Sequence, residues 1–243
     1  MKAFINSCIE ANKEIYEYIT THISTEDYNY SGIIGEGGDN SLNMDLKAEA
    51  VFVKHLNTYG SIYSEESGVF ENKSDNIIVI DPLDGSDNFV SGLPYYGTSV
   101  ALNSKGKTIA AMVCNLSSGD IIYKIKDENI IYQNLFKKNY TPHTPVNSKI
   151  ALFERSYKFP EVCSLLYSQG IKYRSPGAVA LSLATARNFD FVLFIGKMRS
   201  FDLDAGLFIC EDLNVYKTDK ILLVCKNECK FKIIKELLMK NRL

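Results

Sequence analysis

The hydrophobic positions at the beginning of the chain recur at helical spacing. Apolar residues lie three or four positions apart from Lys2 to His22, which predicts an amphipathic helix. A second helix is predicted from Met44 to Tyr59 on the same grounds. The polar stretch from Thr25 to Asn43 is rich in glycine, which favours turns. It therefore predicts a loop or a hairpin between the two helices.

The pattern of the remaining chain predicts strands first and then alternating strands and helices. The β-branched run Ile77–Ile80 indicates a buried strand that ends at Asp81 in a tight turn. An antiparallel meander is predicted from strands at 95–102, 108–115 and 120–125. Strands at 150–153, 171–173, 189–195 and 220–225 then alternate with helices at 160–169, 178–187, 202–212 and 230–240. Because this alternation is typical of an α/β unit, a boundary is predicted at 136–145, between halves 1–140 and 141–243.

Composition narrows the class of protein. The 243 residues are 46% hydrophobic and 23% charged, as in ordinary soluble globular proteins. The formal net charge of −2 and the lack of a long basic run argue against a nucleic-acid surface. The chain has no transmembrane run, so no membrane partner is expected, and its N-terminus lacks the apolar core of a secretory signal. We therefore expect a cytoplasmic protein whose six cysteines are free thiols.

The turn after the predicted central strand carries candidate chemistry in the segment Asp81-Pro-Leu-Asp-Gly-Ser86. Pro82 restricts the backbone and Gly85 permits a tight turn, so Asp81 and Asp84 would be held rigidly together. Oxygen ligands of this kind select Mg²⁺, Mn²⁺ or Ca²⁺ over zinc. Gly85 and Ser86 could also open a helix whose free N–H groups face a phosphate. The alternative is an ordinary turn in which Asp and Gly have only structural roles.

Two further acidic segments favour the functional interpretation. One is Tyr63-Ser-Glu-Glu-Ser-Gly68, and the other is Phe201-Asp-Leu-Asp-Ala-Gly206. The central turn lies between these two segments in the chain. In that order, the three segments resemble the motifs of the inositol monophosphatase and fructose-1,6-bisphosphatase superfamily. The resemblance spans about residues 35–211. It implies an α/β (α+β) fold, a layered αβαβα sandwich of the sugar phosphatase type. It also implies a protein that binds two or three Mg²⁺ ions, and a homodimer is a reasonable expectation.

The resemblance also implies roles for individual residues. Asp45 and the hydroxyl of Ser86 would orient the attacking water, although a first-turn Asp can also merely complement a helix dipole. Glu66 is a further catalytic candidate beside the metal. The backbone N–H groups of Gly85 and Ser86 would bind the phosphate. The implied metal ligands are Glu65, Asp81, the carbonyl oxygen of Leu83, Asp84 and Asp202.

In this interpretation the substrate is a small phosphate ester. Its identity depends on whether cationic side chains away from the metals can hold a second phosphate. Arg174, Lys197 and Arg199 are the candidates for such contacts. Inositol monophosphate or a similar polyol phosphate is favoured, with fructose 1,6-bisphosphate as the alternative and a nucleotide 3′-phosphate as a weaker one. A catalytically silent metal- or phosphate-binding protein is the alternative of another class. Retention of Asp202 implies inhibition by Li⁺.

Overall fold

The computed structural model describes residues 1–142, 145 and 148–240. Its helices are α1 (Lys2–Thr21), α2 (Asn43–Leu56), α3 (Ser86–Ser91), α4 (Pro160–Ser168), α5 (Val179–Ala184), α6 (Ser200–Ile209) and α7 (Glu228–Lys240). Its strands are β1 (Tyr30–Ile34), β2 (Asn40–Leu42), β3 (Ser61–Ser64), β4 (Gly68–Phe70), β5 (Asn76–Asp84), β6 (Gly97–Ser104), β7 (Lys107–Asn115), β8 (Asp120–Ile125), β9 (Ile131–Asn134), β10 (Ile150–Glu154), β11 (Lys172–Arg174), β12 (Val192–Ile195), β13 (Asn214–Lys217) and β14 (Ile221–Cys225). No helix among the described residues is both long and apolar enough to cross a membrane.

The strands form two large sheets and one small hairpin. The seven-stranded sheet has the order β4-β3-β5-β6-β7-β8-β9, and only its β3–β5 pair is parallel. The five-stranded sheet has the order β11-β10-β12-β14-β13, in which β10 runs parallel to both β11 and β12. Strands β1 and β2 form the antiparallel hairpin. The parallel pairs matter for function because parallel strands end at the same edge of a sheet.

Five layers result from the way these elements bury their apolar faces. Helices α1 and α2 pack on one face of the seven-stranded sheet, around Phe4, Phe52 and Ile80. Helices α5 and α6 fill the space between the two sheets. Helices α4 and α7 cover the outer face of the five-stranded sheet, around Phe153 and Leu238. The predicted αβαβα sandwich is therefore confirmed.

The predicted helices and the meander are confirmed with adjusted boundaries, whereas the central strand differs. Strand β5 does not end at Asp81 but continues to Asp84. Its pairing with β6 shifts register between these two residues, so a bulge accommodates Pro82 inside the sheet. The predicted helix at 178–187 ends at Ala184, and the strand predicted at 189–195 begins only at Val192.

Short strands account for most of the elements that the sequence pattern missed. Strands β3, β4, β9 and β13 contain only three or four residues each, too few to show a period. The hairpin predicted between α1 and α2 is present. The division into halves at 136–145 stays a prediction, and this segment includes residues outside the described part of the chain.

Candidate active site

Parallel pairing of β3 with β5 brings the first two acidic segments together. Ser64 lies opposite Ile80 in this pair, and the next residue, Glu65, donates its N–H to the Ile80 carbonyl at 3.2 Å. The carboxylate of Glu65 therefore lies beside that of Asp81 at the end of the sheet. The family resemblance implied this proximity, whereas the hydrophobic pattern did not, because β3 is too short to show a period.

Helix α6 supplies the third carboxylate. Asp202 lies in the first turn of this helix, where a negative charge is favourable. Glu65, Asp81 and Asp202 offer oxygen atoms that all lie within 4.8 Å of one another. Asp81 and Asp202 are buried, and hard carboxylate oxygens without nitrogen or sulfur donors suit Mg²⁺. This donor set fits the metal that the sequence implied.

The other two predicted ligands adjoin this cluster. The Oδ2 atom of Asp84 accepts a hydrogen bond from the Leu181 N–H at 2.9 Å, which leaves Oδ1 available. The N–H of Leu83 donates to Asp81 Oδ1 at 3.0 Å, and its carbonyl oxygen accepts from Ser86 Oγ at 2.9 Å. Both residues line the same cavity as the carboxylate cluster. The structure thus brings all five predicted ligands to one place.

Asp45 makes two hydrogen bonds that bear on the two roles its sequence position left open. Its Oδ2 atom accepts from the Leu42 N–H at 2.8 Å and caps helix α2. Its Oδ1 atom accepts from Ser86 Oγ at 3.1 Å, across 41 positions of sequence. Burial and the charge of Glu66 raise the pKa of Asp45 to about 7. The Asp45–Ser86 pair predicted for water orientation is therefore assembled at the cavity wall.

Glu66 connects the site to the β1–β2 hairpin. Its carboxylate accepts a hydrogen bond from Ser41 Oγ and lines the cavity. At the hairpin tip, the Gly37 N–H donates to the Glu65 carbonyl at 2.9 Å. A Cβ atom at Gly37 would lie 2.4 Å from Glu65 Oε1, so any larger residue would displace this carboxylate. The hairpin tip is consequently packed directly on the predicted metal ligand Glu65.

Arg199 lies among the carboxylates and not on the outer surface. Its Nε atom is 2.8 Å from Asp202 Oδ2, and its Nη1 atom is 2.8 Å from Glu65 Oε1. Nη1 also donates to the Gly37 carbonyl at 3.0 Å. Arg199 therefore reaches the cavity, as its predicted role in phosphate binding requires, and it also joins the hairpin tip to two of the predicted metal ligands.

Arg174, the other arginine predicted for substrate binding, does not line the cavity, so its predicted role gains no support from the structure. It lies on the edge strand β11, where Tyr173 turns inward against Phe153. Side chains alternate along a strand, so Arg174 points to the other face and is exposed. Its guanidinium donates to the Tyr173 carbonyl at 2.8 Å and does not line the cavity.

The cavity has a second wall that sequence reasoning missed. Its volume is about 550 Å³, within the range of small-molecule sites, and it is lined by the carboxylate cluster on one side. On the other side lie Glu154, Arg155, Tyr157 and Lys158, which follow or end strand β10. The available signal was their position directly after a strand of the predicted α/β unit, because α/β proteins bind ligands at the carboxyl ends of such strands.

The carboxylates of the cluster are buried and repel one another, which raises their pKa values. Burial and neighbouring carboxylates raise the pKa values of Asp81 and Asp84 well above the usual range for Asp. Burial also raises the pKa of Glu65 to about 7, against the opposing charge of Arg199. The folded state thus binds more protons than the unfolded chain between about pH 4 and 7, because these groups are already ionised in the unfolded chain over this range. The unfolding free energy of the metal-free protein should fall as pH rises through this window.

We therefore expect Mg²⁺ to stabilise the fold, and more at pH 7.5 than at pH 5. A ligand present at 100 times its Kd adds about 2.7 kcal/mol to the unfolding free energy. The measurement is Tm in EDTA and in Mg²⁺ at both pH values. The control is KCl at matched ionic strength, and an equal Tm shift from KCl would contradict a Mg²⁺ site.

Comparisons with known proteins find relatives that match most of the chain. The chain is 29% identical over 183 residues to a fructose-1,6-bisphosphatase of Pyrococcus furiosus, covering 74% of this chain and 70% of the relative. It is 26% identical over 190 residues to the Nus factor SuhB of Vibrio cholerae, covering 73% and 70%. Among solved structures, an inositol monophosphatase of Thermotoga maritima has a TM-score of 0.75 at 19% identity, over 97% of this chain and 98% of that one.

A protein-family model connects these similarities with the motifs. The model of the inositol monophosphatase family matches residues 2–219, which include the carboxylate cluster, the Asp45–Ser86 pair and both walls of the cavity. The solved structure independently supports the fold. The chain therefore belongs to the inositol monophosphatase family, a family of phosphatases.

Proposed function

We propose that this protein hydrolyses the phosphomonoester of a small polyol or sugar with the help of Mg²⁺. The observation that carries the proposal is the convergence of Glu65, Asp81 and Asp202 within 4.8 Å, beside the Asp45–Ser86 pair. When bound, Mg²⁺ supplies positive charge to the phosphoryl group and acidifies water. Glu65, Asp81, Asp202, Asp84 and the Leu83 carbonyl would hold two or three such ions.

The residues of the chain supply orientation and proton transfer. Ser86 Oγ lies between Asp45 Oδ1 and the Leu83 carbonyl, so its hydroxyl is held in a fixed position at the cavity wall. Asp45, which accepts the hydrogen bond from Ser86 Oγ at the cavity wall, is positioned to accept a proton from the attacking water. The backbone N–H groups of Gly85 and Ser86 would orient the phosphate. Gly85 has φ +90° and leaves 3.1 Å between its Cβ position and Ala178, so a larger residue would be strained there.

Two substrate classes compete within this proposal. Binding of inositol monophosphate, the substrate that the sequence favours, requires the metals and hydrogen bonds to its hydroxyl groups. A sugar bisphosphate also needs cations away from the metals, and the basic wall at Arg155 and Lys158 favours this second candidate. Relatives named fructose-1,6-bisphosphatase and inositol monophosphatase support both. The homodimer and the cytoplasmic location stay predictions.

The discriminating experiment is a steady-state assay with Mg²⁺ and p-nitrophenyl phosphate, followed by a panel of polyol, sugar and nucleotide phosphates. We expect metal-dependent release of inorganic phosphate. A binding or regulatory protein without activity is the alternative of another class, and the relative named Nus factor SuhB gives it some support. The intact ligand set favours the enzyme. No phosphate release from any ester in the panel would refute the proposed function.

Lithium provides a separate test of the metal site. We expect Li⁺ to inhibit phosphate release by occupying a Mg²⁺ position among the oxygen ligands, where Asp202 is retained and buried. The measurement is the initial rate against LiCl concentration at fixed Mg²⁺, with NaCl and KCl as controls for ionic strength. Equal effects of the three salts would argue against the inositol phosphatase type of site.

A further inference from the structure

Arg199 is the cation that lies among the carboxylates of the cluster. Its side chain is only 11% exposed, and its guanidinium forms ion pairs with Asp202 Oδ2 and Glu65 Oε1, both at 2.8 Å. Its Nη2 atom also donates to Asp202 Oδ1 at 3.0 Å, so two parallel hydrogen bonds join the guanidinium to this carboxylate. In the described part of the chain, no other cation pairs with Glu65 or Asp202, and none pairs with Asp81 or Asp84.

The backbone on both sides directs Arg199 to this position. Arg199 immediately precedes helix α6 and has an extended conformation, with φ −95° and ψ 140°, and its side chain reaches Asp202 three residues later. The hairpin tip closes on the guanidinium from the other side, because the Gly37 carbonyl accepts from Nη1 at 3.0 Å. A Cβ atom at Gly37 would lie 2.8 Å from Nη1. The guanidinium is therefore enclosed between helix α6 and the hairpin tip.

These contacts occupy the hydrogen-bond donors of Arg199. Nε and Nη2 donate to the Asp202 carboxylate, and Nη1 contacts both the Gly37 carbonyl and Glu65. A guanidinium has five N–H donors, so a phosphate could make paired hydrogen bonds here only after one of these acceptors had left. In this structure Arg199 is consequently a partner of the carboxylate cluster.

The charge of Arg199 has opposite effects on the empty and on the metal-bound cluster. Glu65, Asp81 and Asp202 bring three carboxylates within 4.8 Å of one another, and a buried cation offsets their repulsion. A Mg²⁺ ion at the same oxygen atoms would carry the same sign of charge as Arg199, so the guanidinium would repel it at short range. Solvent ions screen buried charges less than exposed ones, which strengthens both effects.

We propose that Arg199 is an internal counter-cation, which stabilises the empty carboxylate cluster and thereby lowers the affinity of this cluster for Mg²⁺. Arg199 is a positioning residue in this role, because it holds Glu65 and Asp202 together before the metal binds. The inference rests on the metal site of the proposed function and assigns a mode of regulation to that site. A residue of the chain then sets the Mg²⁺ concentration that the protein requires.

Calorimetric titration of the metal-free protein with Mg²⁺ alone tests the inference. Arg199→Gln should lower the Kd for Mg²⁺ about tenfold or more, because a unit charge a few ångströms from the ion no longer opposes it. Arg199→Lys keeps the charge without the planar fork, so its Kd should lie closer to that of the parent. Arg174→Gln is the matched control, since this exposed arginine lies outside the cavity and should leave the Kd unchanged. An unchanged or higher Kd in Arg199→Gln would overturn the inference.

Thermal unfolding distinguishes this role from a merely structural one. An arginine that only supports the fold would, when replaced, lower Tm by similar amounts in EDTA and in saturating Mg²⁺. Loss of a counter-cation should lower Tm in EDTA, whereas tighter metal binding restores stability in Mg²⁺. The rise in Tm on adding Mg²⁺ should therefore be larger in Arg199→Gln than in the parent. Parallel falls of Tm in the two conditions would overturn the inference.

The parent protein separates failure of this inference from failure of the proposed function. Mg²⁺ binding by the parent with equal affinity in Arg199→Gln would refute the counter-cation and leave the metal site intact. Absence of Mg²⁺ binding in both proteins would refute the metal site and the inference together. Tighter Mg²⁺ binding in Arg199→Gln, with no phosphate release from any ester, would support the counter-cation and refute the enzyme.

Discussion

Asp84→Asn is expected to lower kcat by about a thousandfold or more, equivalent to about 4 kcal/mol of transition-state stabilisation. The substitution removes a carboxylate charge that should hold Mg²⁺ but keeps the shape of the side chain. The Asn amide oxygen can still accept the hydrogen bond from the Leu181 N–H. Because neighbouring carboxylates repel Asp84, the metal-free variant should be at least as stable as the parent.

Two measurements check this result, kcat at saturating Mg²⁺ and Tm in EDTA. Asp75→Asn is the matched control, since Asp75 is exposed and lies at the opposite end of strand β5. We expect the control to retain full turnover. Turnover near that of the parent in Asp84→Asn would remove Asp84 from the ligand set, whereas a large fall in Tm would attribute the loss to misfolding.

Asp45→Asn should lower kcat by about a hundredfold to a thousandfold, the range expected for loss of a positioned proton acceptor. Asn can still accept the hydrogen bond from the Leu42 N–H, so the cap of helix α2 survives. The substitution removes the carboxylate charge. This carboxylate accepts the hydrogen bond from Ser86 Oγ at 3.1 Å and can take a proton from water. KM should change little because Asp45 is not assigned to phosphate binding.

Substitutions at Ser86 test the same hydrogen bond from its other partner. Ser86→Ala removes the hydroxyl and should lower kcat, whereas Ser86→Thr keeps a donor to Asp45 and should restore most of the activity. The double variant with Asp45→Asn should lose less than the product of the two single losses, because paired groups that act as a unit are not additive. Full additivity would show that Asp45 and Ser86 act independently.

Phe201 and Asp204, which lie on either side of Asp202 in helix α6, have structural contacts of their own. The buried ring of Phe201 lies 4.6 Å from that of Tyr63 between centres. Asp204 accepts a hydrogen bond from Asn103 Nδ2 at 2.9 Å. Both residues pack helix α6 onto the seven-stranded sheet. They therefore leave Asp202 in place without altering the carboxylate cluster.

The sequence by itself determined the helices and strands that are long enough to show a regular hydrophobic period. It also determined the candidate metal ligands that lie within one contiguous motif. Helix α1 and the strands of the meander are long enough for their apolar positions to show a period. The segment Asp81–Ser86 carries its ligands within six positions, so local backbone geometry brings them together. Residue types then limited the metal to a hard cation.

Only the tertiary structure decided which distant residues share the cavity. Glu65 meets Asp81 through the parallel pairing of β3 with β5, and Asp202 arrives on a helix packed between two sheets. Arg174 was a candidate by sequence, but the alternation of side chains on an edge strand turns it outward. Arg155 and Lys158 belong to no motif, and they become cavity residues because three parallel strands end at one edge. Such contacts depend on strand register and layer packing, which no local pattern of residues encodes.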